Sequence, residues 1–183
     1  MSKLPQIDPA TATGPAKELL TEVQKALGVT PNMTKVMVNS PALLRGYLGL
    51  ASALDGGVLT PGVRERLALA TAEYNGCGYC LSAHTYLGAN VAHVEDDELD
   101  RARHAQSSDP HIAAILALSD SVVRGRGVVS EAAWQAARES GVTDAEVAEV
   151  VGHVALNVLT NYFNILADVD IDWPVVQPHV HAA

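Results

Sequence analysis

Apolar residues recur at three- and four-residue spacing along most of this chain, and no segment alternates every second position with β-branched residues. The pattern predicts an all-α protein. Pro15 opens a helix with Ala16, Leu19, Leu20, Val23 and Leu27 as its apolar stripe, and Gly28 ends it. Pro31 to Asn39 forms a short second helix. Pro41 opens a third, through Leu43, Leu44, Tyr47, Leu48, Leu50 and Leu54 to a Gly56-Gly57 stop. Thr60-Pro61 has cap and first-turn chemistry for a helix to about Tyr74, which Asn75-Gly76 breaks. The next helix begins around Cys77 and runs to about His93, and an acidic-start helix follows from Asp96 to Gln106. Asp109-Pro110 opens another, to Gly125 or Gly127, and Ser130 caps one that ends at Ser140-Gly141. Thr143 and Glu146 form a capping box for a long last helix to about Ala167. The tail, about 170–183, contains Trp173-Pro174, Pro178 and two histidines and reads as extended.

The last helix carries an unusual stripe. His153, Asn157, Thr160, Asn161 and Asn164 fall within an arc of about 100° on a helical wheel, and the rest of Val150 to Ala167 is apolar and uncharged. A solvated face would carry Lys, Glu or Arg. Neutral amides and an imidazole point instead to an interface or the wall of a site. The run is near the lower length limit of a membrane span, but burying so many polar groups in hydrocarbon is costly, so it reads as an interior helix.

A chain of 183 residues supports one substantial core and hence one domain, 1–183. A net charge of -9 leaves no basic patch, which argues against nucleic acid or anionic membrane as partners. No secretory or lipidation signal is evident, so the cytoplasm is the expected compartment.

The two cysteines, Cys77 and Cys80, stand three positions apart. On a helix their Cβ atoms would be roughly 5–6 Å apart, near disulfide range, and His84 would share their face one turn on. A close pair in a reducing compartment suits redox chemistry or metal binding, and inert buried thiols are the third reading. Zinc would need a fourth ligand from water, a carboxylate or a distant histidine. A first-turn position stabilises a thiolate through the helix dipole and favours Cys77 as the acidic thiol, whereas the spacing to His84 favours Cys80. On the preceding helix Glu65 falls at the azimuth of Ala68, Leu69 and Ala72, apolar surroundings that suit a proton carrier. Glu73 falls beside Arg66 and is expected to be solvated or paired with it. Its place four residues before Cys77 keeps it a possible supporting residue, with Tyr79, His153 and Asn157.

The stretch from Arg64-Glu65-Arg66 through Ala72-Glu73-Tyr74-Asn75-Gly76-Cys77-Gly78-Tyr79-Cys80 to His84 resembles the AhpD-like alkylhydroperoxidase core of the carboxymuconolactone decarboxylase superfamily. Pro31-Asn32-Met33, Ser40-Pro41-Ala42 and Asn157 with Thr160-Asn161-Tyr162 resemble its peroxidase-related branch. The resemblance covers nearly the whole chain and centres on residues 61–93. It implies an all-helical bundle that assembles as dimers, trimers or hexamers. It also implies a thiol peroxidase or disulfide reductase without a bound cofactor, which draws electrons from an external thiol or protein reductant. By that resemblance Cys80 attacks the hydroperoxide, Cys77 resolves the sulfenic acid, and Glu65 with His84 relays protons. Tyr79 stands where the best-known members have histidine, which bears on the relay. A lactone decarboxylase and a non-enzymatic redox sensor are the alternatives, and the dithiol counts against the first.

Overall fold

The computed structural model describes residues 1–179, and among them the chain forms nine helices. These are α1 Gly14–Leu27, α2 Asn32–Met37, α3 Pro41–Asp55, α4 Pro61–Asn75, α5 Gly78–Asn90, α6 Asp96–Arg103, α7 Pro110–Gly125, α8 Glu131–Glu139 and α9 Asp144–Ala167. The boundaries follow local chemistry. Gly28 and Gly76 take the left-handed conformation just past α1 and α4, Asp109 accepts from His111 N and Ile112 N, and Thr143 with Glu146 closes the capping box of α9. Three ends fall short of their sequence-based positions. α2 stops at Met37, where Asn39 N and Ser40 N tighten onto Val36 O and Met37 O. α5 stops at Asn90 because Ala92 N turns back to Leu87 O, and α6 stops at Arg103 because Ala105 goes left-handed while Gln106 N bonds Arg101 O.

α4 is the central helix and packs against α5, α6, α7 and α9. It is buried on nearly every side, from Val63 through Leu67 to Glu73, as an interior helix must be. Gly76 turns the chain straight back into α5. Farther along that pair Gly88 lets the helices close up: a Cβ there would stand 2.6 Å from Leu99 Cδ2 and 3.7 Å from Glu65 Cβ.

α9 is amphipathic in reverse. Its polar stripe, His153, Asn157, Thr160, Asn161 and Asn164, is buried, while Val151, Tyr162, Ile165 and Leu166 are exposed. By length and composition α9 could cross a membrane, but here it packs on α3, α4, α5 and α7. Glu149 anchors its first half to the α3–α4 turn by accepting from Val58 N (2.7 Å) and Leu59 N (3.0 Å).

After α9 the chain has no regular secondary structure, as the sequence predicts for the tail as far as residue 179; residues 180–183, including His181, lie outside the described residues. Its course is nevertheless fixed. Asp170 accepts from Ser2 N and pairs with the amino terminus, Val176 N donates to Ser82 Oγ (2.9 Å), and Trp173 meets the Tyr86 ring. Ile171 and Pro178 lie over Gly78, so residues 169–179 form a strap across the start of α5.

Candidate active site

Cys77 is the N-cap of α5, and its Sγ takes the role usually filled by a serine or aspartate oxygen, accepting from Cys80 N at 3.4 Å. Both thiols are free and almost wholly buried, at 1% and 2% exposure. The geometry separates them. The Cys77 thiol donates to Cys80, and this bond, then burial, then the neighbouring thiolate's charge, pushes Cys77 far above the ordinary thiol value. The same bond lowers Cys80 to about 6, against the opposing effect of burial and with help from His84, Asn164 and Asn161. Cys80 is therefore the acidic member of the pair, although Cys77 is nearer the helix end.

Asn164 Nδ2 lies 3.2 Å from Cys80 Sγ and 3.4 Å from Met33 Sδ. Asn161, one turn earlier on α9, receives a bond from Asn75 Nδ2 at its Oδ1 (2.9 Å) and turns its own amide nitrogen toward Cys80. His84, one turn beyond Cys80, places Nδ1 2.7 Å from Glu65 Oε2. Burial pushes the imidazole down, but Glu65, by charge and hydrogen bond, and Cys80 by charge, bring it above its ordinary value. Glu65 and His84 keep about a fifth and a quarter of their side chains accessible, so the site opens on their side. Tyr47 of α3 completes the wall. Burial, then the negative charge of Cys80, Glu65 and Asp55, raises its hydroxyl to about 12, so it stays protonated.

Cys77, Cys80, His84 and Glu65 thus converge as the spacing and azimuths predict. Others do not. Glu73 is neither solvated nor paired with Arg66: it is 3% exposed, with Arg103 Nε at 2.7 Å and His179 N at 2.7 Å. Seven residues along a helix span about 10.5 Å, too far for Arg66 and Glu73 to meet directly, and α6 supplies a partner to each. Arg66 binds Glu98 (3.0 Å) and Ser107 (3.2 Å) instead. The Tyr79 hydroxyl accepts from Met33 N and donates to Asp172 (2.8 Å), so it ties α2 and the strap to α5. Asn157 Nδ2 is bonded to His153 O (2.9 Å). His153 is held neutral by burial and by Arg64, against Glu149, Asp55 and Glu65. The stripe does wall the site, but through Asn161 and Asn164. Among the described residues, no three His, Cys, Asp or Glu side chains are gathered as metal ligands.

No curated protein matches the sequence. Residues 41–120, which hold Glu65, both cysteines and His84, match the model of the carboxymuconolactone decarboxylase family. An uncharacterized peroxidase-related protein from Ralstonia eutropha JMP134, with an alkylhydroperoxidase AhpD core, superposes with TM-score 0.82 at 25% identity, over 93% of this chain and 92% of that one. A peroxidase-related protein from Silicibacter sp. TM1040 gives 0.77 at 19% identity, over 91% and 88%. The debrominase Bmp8 in complex with 2,3,4-tribromopyrrole gives 0.72 at 19% identity, over 85% and 84%. Residues 41–120 of this chain thus resemble the carboxymuconolactone decarboxylase family, and its helical fold resembles that of AhpD-core proteins.

Proposed function

We propose that the chain is a thiol-dependent peroxidase that reduces hydroperoxides through Cys80 and Cys77. The observation that carries this reading is an acidic, buried Cys80 with a protonated thiol bonded to it and a His84–Glu65 pair beside it. The Cys80 thiolate attacks the terminal peroxide oxygen, the O–O bond breaks, and sulfur loses two electrons to give Cys80–SOH. The alkoxide leaves with a proton from the His84 imidazolium, which Glu65 orients and recharges. Cys77 sulfur then attacks Cys80 sulfur. The S–O bond breaks, the hydroxide takes the Cys77 proton and departs as water, and a disulfide remains. An external thiol or dithiol returns two electrons. The chemistry needs no bound cofactor.

The exposed apolar side of α9 supports a homo-oligomer, since Val151, Tyr162, Ile165 and Leu166 all face outward along it. A cytoplasmic location suits a dithiol that must be re-reduced. A lactone decarboxylase would have no use for two thiols of opposed acidity. Peroxide consumption with a thiol reductant tests the reading: Cys80→Ser abolishes turnover, and Cys77→Ser leaves a single oxidation without a cycle. Turnover that survives Cys80→Ser overturns it.

A further inference from the structure

Two buried side-chain atoms of α9 form no close hydrogen bond: Asn164 Oδ1, an acceptor, and Asn161 Nδ2, a donor that is turned toward Cys80 without reaching hydrogen-bond geometry. Both belong to residues that are 3% exposed or less. Leaving such atoms unpaired in the interior is costly, so native proteins rarely tolerate them without a use. Neither amide is free to turn over and correct the deficit. Asn164 Nδ2 is occupied by the two sulfurs of Cys80 and Met33, and Asn161 Oδ1 is held by Asn75. The fold therefore leaves one donor, Asn161 Nδ2, turned toward the Cys80 sulfur and one acceptor, Asn164 Oδ1, on the amide that bonds it.

A single hydroxyl on that sulfur would satisfy both, with its oxygen accepting from Asn161 and its hydrogen donated to Asn164. We propose that Asn161 and Asn164 form an amide cradle that holds Cys80 first as a thiolate and then as a sulfenic acid, which makes both of them catalytic residues. The proposal rests on the peroxidase reading for the identity of the hydroxyl. In the resting state Asn164 Nδ2 donates to the thiolate, a bond that is stronger to the charged sulfur than to the thiol. In the oxidised state the two vacancies receive S–O–H and hold the oxygen in place while Cys77 approaches. The terminal O–H of an incoming hydroperoxide can use the same acceptor, which brings the oxygen that is attacked toward Cys80 sulfur. The titratable groups facing Cys80 are Cys77 and His84 on α5, Glu65 on α4 and Tyr47 on α3; α9 and α2 contribute neutral Asn161, Asn164 and Met33.

The test uses two readouts on the full chain. The first is the pH dependence of iodoacetamide labelling at Cys80, located by peptide mass spectrometry, with no peroxide present. Asn164→Leu should raise the midpoint by about one pH unit or more, the size of a lost hydrogen bond to a charged group. The second is the yield of sulfinic acid at Cys80 after a hydrogen peroxide pulse in a Cys77→Ser background. Asn75→Ala touches neither thiol in the hydrogen-bond network and releases the Asn161 amide; it should raise that yield about fivefold, the effect of one lost neutral hydrogen bond. If Asn164→Leu does not fold, Asn164→Ala replaces it: it removes the donor without adding bulk or charge, so its midpoint should also rise. Unchanged midpoint and unchanged yield overturn the cradle, as does a fall in the midpoint, which would mean that Asn164 accepts from the thiol. The labelling readout does not depend on turnover, so a wild-type protein that consumes no peroxide would refute the peroxidase reading and leave the cradle to be decided separately.

Discussion

Replacing Glu65 with glutamine keeps the shape of the His84 contact and removes its charge. The pair stands at 2.7 Å with both side chains about three-quarters covered. A hydrogen bond to a charged partner in such a place contributes about 1.5–3 kcal/mol, or about 1–2 pH units in the titration of the imidazole at 1.36 kcal/mol per unit. With the carboxylate gone, burial is left as the main influence on His84, and burial acts downward. At neutral pH His84 then loses its proton, and Cys80 loses the positive charge that helps to keep it a thiolate. A rise of about one unit from a starting value of about 6 changes the thiolate fraction at pH 7 only from about nine-tenths to about one-half. At pH 6 the same rise takes it from about one-half to about one-tenth, a fivefold loss. Alkylation of Cys80 in Glu65→Gln should therefore fall about fivefold at pH 6 and about twofold at pH 7, with the His84 ring-proton titration in NMR moving to lower pH. Equal losses at the two pH values, or a His84 titration that stays or moves upward, would refute the reasoning.

Glu73→Ala leaves the Arg103 guanidinium mostly buried with the Gln177 carbonyl still in place. Breaking a buried pair from one side costs about 3–5 kcal/mol, so Tm should fall by roughly 10 °C and the strap should become sensitive to protease; a fall below about 3 °C would show that the pair is not the anchor. Gly88→Ala pushes a methyl group against Leu99 Cδ2, and overpacking costs about 1–3 kcal/mol against a helix gain of about 0.5–1. Urea unfolding should show a net loss of about 1 kcal/mol that disappears when Gly88→Ala is made in a Leu99→Ala background and compared with Leu99→Ala alone, and simple additivity of the two changes would count against the close approach of α5 and α6.

Sequence chemistry located most helix ends, because caps such as Thr143 with Glu146 and stops such as Gly28 and Gly76 act over a few residues. The overshoot of α5 and α6 has a matching cause: His93 and Ala105, just beyond them, take left-handed conformations that glycine would have advertised. Glu65 and His84 were legible because both helix faces have fixed periodicity and a single turn joins them. Glu73 was not, since its partner Arg103 arrives on α6 from 30 residues away. The polar stripe of α9 was visible, but which end of it meets the thiols depends on how α9 crosses α5. That crossing selects Asn161 and Asn164 and leaves His153 and Asn157 elsewhere. Tyr47 reads as one more apolar position of α3, and nothing in its spacing announces that its hydroxyl faces the site.

Asn164 follows Cys80 by 84 residues. At translation rates of about 5–20 residues per second, the cysteine pair leaves the ribosome about 4 to 17 seconds before the helix whose amides add to the acidity of Cys80. During that interval Cys80 has Cys77 and His84 beside it on α5 but no amide donors from α9 and no strap over it. Nascent chains stalled before Val150 should therefore label at Cys80 with a midpoint at higher pH than the finished protein. The full acidity of the thiol is thus a property that the polypeptide acquires only once α9 docks.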